Sequence, residues 1–420
     1  MYRAVVAVIN AFRPRTSPPS ASTILRSALW PIAVMSIIHR SYVLTSNGYI
    51  TDDWVPVYRA VRNFRAGVDI YNEHFDQVDP HYLYPPGGTL LMAPFGYIGS
   101  EFAARNWFIL LNTLAIIAAA CLLVRLFRFP LSSVALPALL TAMFVTESVT
   151  NTLVFTNING IILLAEVLFF RWLLDGRTSR QWLAGISIGL SLVVKPVLGV
   201  LLLLPLLNRQ WRTVVAAIAV PVAFNAAAWP LVADRDNFVH RTLPYIFSIR
   251  DYFNSSVLGN GVYYGLPMWL ITALRLLFVA LAVASLWLLY RYYRRRDEFF
   301  WMLTSSGVLL IASWLVLSLA QGYYSMMLFP FLMTVVLPNS VLRNWPAWLS
   351  VYGFLTMDRW LMWRWPTTGR FLEYMKITYG WSLMLIVVFT VLYFRYLDAK
   401  ADGRLDQGID PVWMRSPQVA

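Results

Sequence analysis

Two adjacent aspartates, Asp52 and Asp53, and a lysine inside a long apolar run, Lys195, are the residues of this 420-residue chain best suited to chemistry. A carboxylate within hydrogen-bond reach of an alcohol can take its proton while a new bond forms. One such carboxylate is enough for an inverting displacement, with the leaving group on the opposite face. The same pair also fits a structural role, because Asp is favoured at helix starts and a helical pattern follows. A cation in an apolar segment is costly and marks function by default. Lys195 could hold a departing phosphate as its charge develops. Its structural alternatives are a lysine that snorkels to the interface, or one that pairs with a carboxylate such as Glu147.

Three other segments concentrate polar and aromatic groups. His81-Tyr82-Leu83-Tyr84-Pro85-Pro86-Gly87-Gly88 joins aromatics to a rigid proline pair, and such aromatics suit either a sugar face or interface anchoring. The stretch 234–266 holds His240, Arg241, Arg250, Asp251, Tyr252, Asn254, Asn260, Tyr263 and Tyr264; its arginines can grip phosphate with two hydrogen bonds, and they also suit an ordinary headgroup belt. Asn157 and Asn159, with Gln321, Tyr323 and Tyr324, could complete a polar pocket or serve as helix caps and interhelical hydrogen bonds.

The elements that must position these groups are membrane helices. Hydrophobic residues make up 59% of the chain and charged residues 13%, about half the charge of a soluble domain. The 18 Trp and 22 Tyr suit headgroup anchoring. A net charge of +13 could point to nucleic acid, but the arginines stand singly or in small groups between apolar runs, which fits the positive-inside rule and excludes a nucleic-acid partner. The lone Cys121 cannot form an intrachain disulfide or a CxxC site and reads as an apolar filler.

Residues 1–24 read as a cytoplasmic arm followed by a retained first helix near 27–45. The loop 46–85 is structured and contains Val55, Tyr58, Val61 and Phe64 alternating with Arg59, Arg62 and Arg65. That spacing is an amphipathic helix, lying on the membrane surface or packed on the protein. Residues 87–98 are too short to span and read as a re-entrant or interfacial helix. Further spans are expected at 106–124, 131–145, 158–174, 213–232, 268–290, 299–319, 324–337, 347–362 and 378–394. Lys195-Pro196 should break 182–207 into a hairpin, since proline removes a ladder hydrogen bond and the lysine needs water or a partner. The expected fold is an all-α bundle of about twelve transmembrane helices over 25–396, with a cytoplasmic tail from 397. With both ends inside, every short basic connection falls on one side. The segments 46–85, 151–159, 234–266 and 321–325 then face outward.

The sequence contains neither a GxxxxGK[ST] phosphate loop nor an HExxH zinc motif, and its four histidines are scattered. An enzyme built this way draws its energy from a substrate that is already activated, and no metal or cofactor is expected. A transporter or flippase for a lipid-linked saccharide would share the broken helix and buried lysine. However, no repeated halves are visible, and a long first loop suits an enzyme better. A scaffold role is a weaker alternative.

Asp52-Asp53 after the first helix, Val57-Tyr58-Arg59-Ala60, Gly67, Tyr71, Tyr84-Pro85-Pro86 and Lys195-Pro196 together resemble the polyprenyl-phosphate-sugar-dependent, membrane-embedded glycosyltransferases of actinobacteria, of the GT-C fold class. The likeness covers nearly the whole chain. Thr51-Asp52-Asp53, Tyr71-Asn72-Glu73-His74-Phe75-Asp76 and Asp251-Tyr252-Phe253-Asn254-Ser255-Ser256 look most like the members that branch mycobacterial cell-wall arabinan. The resemblance implies a decaprenyl-phosphoryl arabinofuranose donor, an arabinan acceptor in arabinogalactan and lipoarabinomannan, and an alpha-1,3 branch formed with inversion at the periplasmic face of the plasma membrane. Sister mannosyltransferases share these landmarks. The family places its base in the first outer loop. Here Asp53 is favoured because it starts the surface helix, with Asp52 as the alternative. Lys195, with Arg250 or Arg241, would hold the donor phosphate. His81, Tyr82, Tyr84, Asn157, Asn159, Asp251, Asn254, Tyr263, Tyr264, Gln321 and Tyr323 would line the sugar and acceptor path.

Overall fold

The computed structural model describes residues 20–48 and 52–414. Most of the expected N-terminal arm, Thr51 and the last six residues of the expected tail lie outside the described residues. Every regular element among the described residues is helical. Among the described residues, six helices are long and apolar enough to cross a bilayer, so the chain is a polytopic membrane protein.

In chain order, α1 (Ala21–Ile38) continues through a π turn to Ser46 and is followed by α2 (Trp54–Ala66), α3 (Pro86–Met92) and α4 (Glu101–Leu126). Next come α5 (Ala135–Phe144), α6 (Glu147–Val154), α7 (Asn159–Leu173) and α8 (Thr178–Val194). The remainder are α9 (Leu203–Leu207), α10 (Trp211–Ala228), α11 (Val257–Tyr263), α12 (Met268–Tyr292), α13 (Glu298–Val316), α14 (Trp345–Leu355) and α15 (Pro366–Ala401), besides shorter pieces, of which 235–247 and 322–336 are continuous helical stretches of mixed α, π and 3-10 turns.

Several expected spans differ. The segment expected at 131–145 is a 10-residue helix. The segment expected at 324–337 is a 3-10 run, one α turn and a second 3-10 run, with Pro330 denying the helix a ladder donor. The helix expected at 347–362 ends at Leu355, and residues 356–365 form a connection. The last helix starts twelve residues before the expected Thr378 and has 36 residues, a length of about 54 Å against a core of about 30 Å.

The amphipathic helix packs on the protein. Trp54, Val57, Tyr58 and Val61 are buried. Trp54 stacks on Phe108 at 4.6 Å, and the Tyr58 hydroxyl donates to the Ile98 carbonyl at 2.7 Å. Arg59, Arg62 and Arg65 remain on the exposed face.

The break at Lys195 is a hairpin apex. Lys195 is extended (φ −138°, ψ 121°), as the residue before a proline prefers, and Pro196–Leu202 is a 3-10 run. A Cβ on Gly185 would meet Thr213 O at 2.4 Å, and one on Gly189 would meet Ala217 O at 3.2 Å. Contacts that advance together along both helices make α8 and α10 parallel, so residues 196–207 must cross back between them. Gly87 and Gly88 press on Asn225 and on Val193, which puts α3 at the same end as Lys195.

The basic connections gather at the opposite end. Arg212 donates to Thr178, Gln210 to the Leu173 carbonyl, and Arg294 to Asn208. Arg395 donates to the carbonyls of Asn339 and Ser340, while Phe127 packs on Phe299.

Candidate active site

The four expected outward segments meet at the Lys195 end. Asp53 N donates to the Phe155 carbonyl at 2.8 Å, joining the first loop to the turn after α6. Asp234 accepts from Ile70 N at 3.0 Å and from Tyr71 N, joining the first loop to the stretch 234–266. Asn254 Nδ2 donates to the Ser318 carbonyl at 2.7 Å, and its Oδ1 accepts from Ala320 N at 3.1 Å, joining that stretch to the segment before Gln321.

The two aspartates have different surroundings. Asp52 is 8% exposed. Its Oδ1 accepts from Trp54 N at 2.8 Å, capping α2, while Oδ2 accepts from Arg105 Nε at 2.6 Å and from Thr156 Oγ1 at 3.4 Å. Arg105 also donates to the carbonyls of Thr45 and Val154, so one guanidinium ties together the ends of α1 and α6 and the aspartate. Asp52 thus carries the capping role, with its charge neutralised. Asp53 makes no side-chain cap and, among the described residues, no ion pair. Burial raises its pKa above the ordinary carboxylate value; Lys195, Asn157 and Tyr323 oppose that rise, and Asp52 adds to it.

Asn157 connects Asp53 to Lys195. Its Nδ2 donates to Asp53 Oδ2 at 2.6 Å, and its Oδ1 accepts from Lys195 Nζ at 2.7 Å. An ammonium only donates and a carboxylate only accepts, so these partners fix which way the amide points. Asn159 Oδ1 is a second, longer acceptor for Lys195 at 3.5 Å. The turn that delivers Asn157 is strained: Thr156 has φ +55°, a rare value for a β-branched residue. The Lys195 ammonium also lies 5.5 Å and 5.7 Å from the ring centroids of Tyr323 and Tyr324, within cation–π range. Tyr323 accepts from Asn157 and donates to Gln321.

Arg250 stands at the edge of this cluster. Its guanidinium is 5.3 Å from the Tyr245 ring and acts electrostatically on the Tyr323 and Tyr324 hydroxyls. Tyr84 is buried and within electrostatic range of Asp53. The other expected residues sit elsewhere. Arg241 is exposed and donates to the Glu73 carbonyl at 3.0 Å. Tyr82 is a core residue bonded to Thr89 at 2.7 Å. Asn254 is engaged with backbone, and Asp251 is exposed. Tyr263 stacks on Tyr374 at 5.3 Å, and the Tyr264 hydroxyl donates to the Arg370 carbonyl, so both pack on α15. His81 is held by Glu73 at 3.1 Å and by the Gln77 carbonyl at 3.0 Å, against a hollow of about 440 Å³ beside Asp52.

Glu147 pairs with Lys376 at 3.1 Å instead of with Lys195, which corrects that structural alternative. The sequence reasoning missed Arg105, Asp234 and Lys376. Arg105 sits one helical turn into α4, next to an apolar run, where a charge is a signal that could have been followed.

The family model described as glycosyltransferase family 87 matches residues 82–318, more than half of the chain. The chain belongs to glycosyltransferase family 87. Its relatives in this family include an alpha-(1->3)-arabinofuranosyltransferase of Mycolicibacterium smegmatis, 73% identical over 407 residues, covering 97% of this chain and 94% of the relative. The protein of that description from Mycobacterium tuberculosis is 72% identical over 409 residues, covering 97% and 94%. The one from Corynebacterium glutamicum is 41% identical over 400 residues, covering 95% and 94%. No solved structure matches the chain. As a family 87 member with such relatives, the protein is a glycosyltransferase.

Proposed function

We propose that this glycosyltransferase moves arabinofuranose from decaprenyl-phosphoryl arabinofuranose to arabinan of arabinogalactan or lipoarabinomannan, forming an alpha-1,3 branch with inversion. The reaction takes place at the periplasmic face of the plasma membrane, with both termini in the cytoplasm, in a GT-C-type bundle. The observation that carries this reading is the Asp53–Asn157–Lys195 chain, which holds a carboxylate and a cation on either side of one amide.

The acceptor hydroxyl attacks the anomeric carbon of the donor as the bond from that carbon to the phosphate oxygen breaks. Asp53 takes the hydroxyl proton. The decaprenyl phosphate leaves with an added negative charge, which Lys195 holds with help from Arg250. Attack opposite the leaving group turns a beta-linked donor into an alpha linkage. Asp52, occupied by Arg105 and the α2 cap, positions its neighbour. The arabinofuranosyltransferase names of the relatives support arabinofuranose as the sugar transferred.

Purified protein given synthetic decaprenyl-phosphoryl arabinofuranose and an oligo-arabinofuranoside tests the reading. The expected product carries one new alpha-1,3 linkage. Transfer from a mannosyl donor instead, or movement of the lipid across vesicles without a new glycosidic bond, would replace it.

A further inference from the structure

Asp52 forms part of the wall of a second feature, outside the Asp53–Lys195 cluster. A hollow of about 440 Å³ opens between α2 and residues 72–81, within the roughly 300–1,000 Å³ typical of ligand pockets. Its walls are built. His81 is bonded on both ring nitrogens to residues of the same loop, and Phe75 stacks on Tyr245 at 4.1 Å. Arg241 pins the Glu73 carbonyl from the neighbouring stretch.

The lining carries three carboxylates, Asp52, Glu73 and Asp79, and one guanidinium, Arg59. Asp52 is paired with Arg105 from outside the lining, and Glu73 is bonded to His81. Asn72, His74 and Gln77 add hydrogen-bonding side chains. A phosphate would meet three carboxylates there. A neutral polyhydroxyl chain would find hydrogen-bond partners on each side. The anion-holding groups, Lys195 and Arg250, lie outside the lining.

We propose that this hollow is the acceptor subsite, holding a run of neutral furanose residues so that the reacting hydroxyl lies at Asp53, the chain neighbour of the lining residue Asp52. The inference rests on the transfer reading above and adds to it where the acceptor lies and which residues read its length. The acceptor and the lipid phosphate then enter from different sides of the Asn157 amide.

Asn72→Ala and Gln77→Ala test the subsite. Both side chains are exposed, and the bond from His81 to residue 77 uses the backbone carbonyl, so neither change leaves a buried group unpaired. The expected result is a rise of about five- to a hundredfold in KM for a hexa-arabinofuranoside in the double variant, from two lost hydrogen bonds. A disaccharide acceptor should show a smaller rise, and kcat and the donor KM should not change. An acceptor KM unchanged at both lengths, or a donor KM that rises with it, overturns the proposal. Binding of the hexa-arabinofuranoside without donor, followed by tryptophan fluorescence, separates the two claims. Weaker binding by the double variant supports the subsite even if wild-type protein transfers no sugar, which would sink only the transfer reading. Equal binding by both proteins, or no binding by wild-type protein, overturns the subsite.

Discussion

Asn157 places Asp53 and Lys195 on opposite sides of its amide, donating to the carboxylate at 2.6 Å and accepting from the ammonium at 2.7 Å. The two charges are therefore held close without collapsing into an ion pair. A direct pair would satisfy both groups and leave neither ready for a substrate. Asn157→Ala removes the spacer, and the two side chains are then free to close on each other. The expected outcome is a fall in kcat of about a hundredfold, the scale of a misplaced catalytic group, in protein that still folds. Steady-state kinetics and thermal unfolding in detergent check both halves.

Asp52 and Arg105 carry structure. Their side chains are 10% and 11% exposed, and the guanidinium joins three segments. Arg105→Met leaves a largely buried carboxylate without its cation, a loss of about 3–5 kcal/mol. A lower unfolding temperature is expected, with activity falling in proportion to the folded fraction or to the displacement of Asp53. Asp52→Asn keeps a single acceptor oxygen, so its NH2 faces either Trp54 N or Arg105; because Arg105 still donates to the Thr45 and Val154 carbonyls, the variant should cost less than Arg105→Met and retain measurable turnover.

The pH profile follows from Asp53. A base works only in its charged form, so kcat/KM is full above its pKa and falls as pH drops through it. Burial raises that pKa, and burial outweighs the opposing effects of Lys195 and Asn157. The acid limb of kcat/KM should therefore lie above the ordinary carboxylate value of about 4. In Asn157→Ala the approach of Lys195, a larger lowering influence than the lost Asn157 bond, should move the residual limb to lower pH. A wild-type limb at or below the ordinary value contradicts this assignment.

The hairpin apex depends on close helix packing. A Cβ on Gly185 would lie 2.4 Å from Thr213 O and 2.6 Å from the Ala216 Cβ. Gly185→Ala must push α8 away from α10, a strain of about 1–3 kcal/mol. Thermal unfolding should register the loss. Gly176 carries φ +69° and has nothing near its Cβ position; Gly176→Ala there tests backbone strain alone and serves as a contrast.

The helix break at Lys195-Pro196 was legible because it rests on local rules: proline in a helix and a lysine among apolar residues. The pairing of Asp53 with Lys195 was legible only as a hypothesis, since 142 positions separate them and Asn157 supplies the link. Asp52–Arg105 and Glu147–Lys376 were not legible, because a charge in sequence does not reveal which distant partner neutralises it. The early start of α15 was missed for a similar reason. Glu373 and Lys376 pair with each other on its outer turns, and residues that look too polar for a membrane helix extend it beyond the membrane. Tyr263 and Tyr264 looked like sugar-facing aromatics, but they pack on α15 through Tyr374 and Phe371.

The most direct measurement is turnover of Asp53→Asn with synthetic decaprenyl-phosphoryl arabinofuranose and an oligo-arabinofuranoside, beside wild-type protein of equal thermal stability. Loss of the proton acceptor should lower kcat by about 10²–10⁴-fold, with donor binding retained through Lys195. Wild-type turnover by Asp53→Asn would contradict the account, whatever Asp52→Asn does.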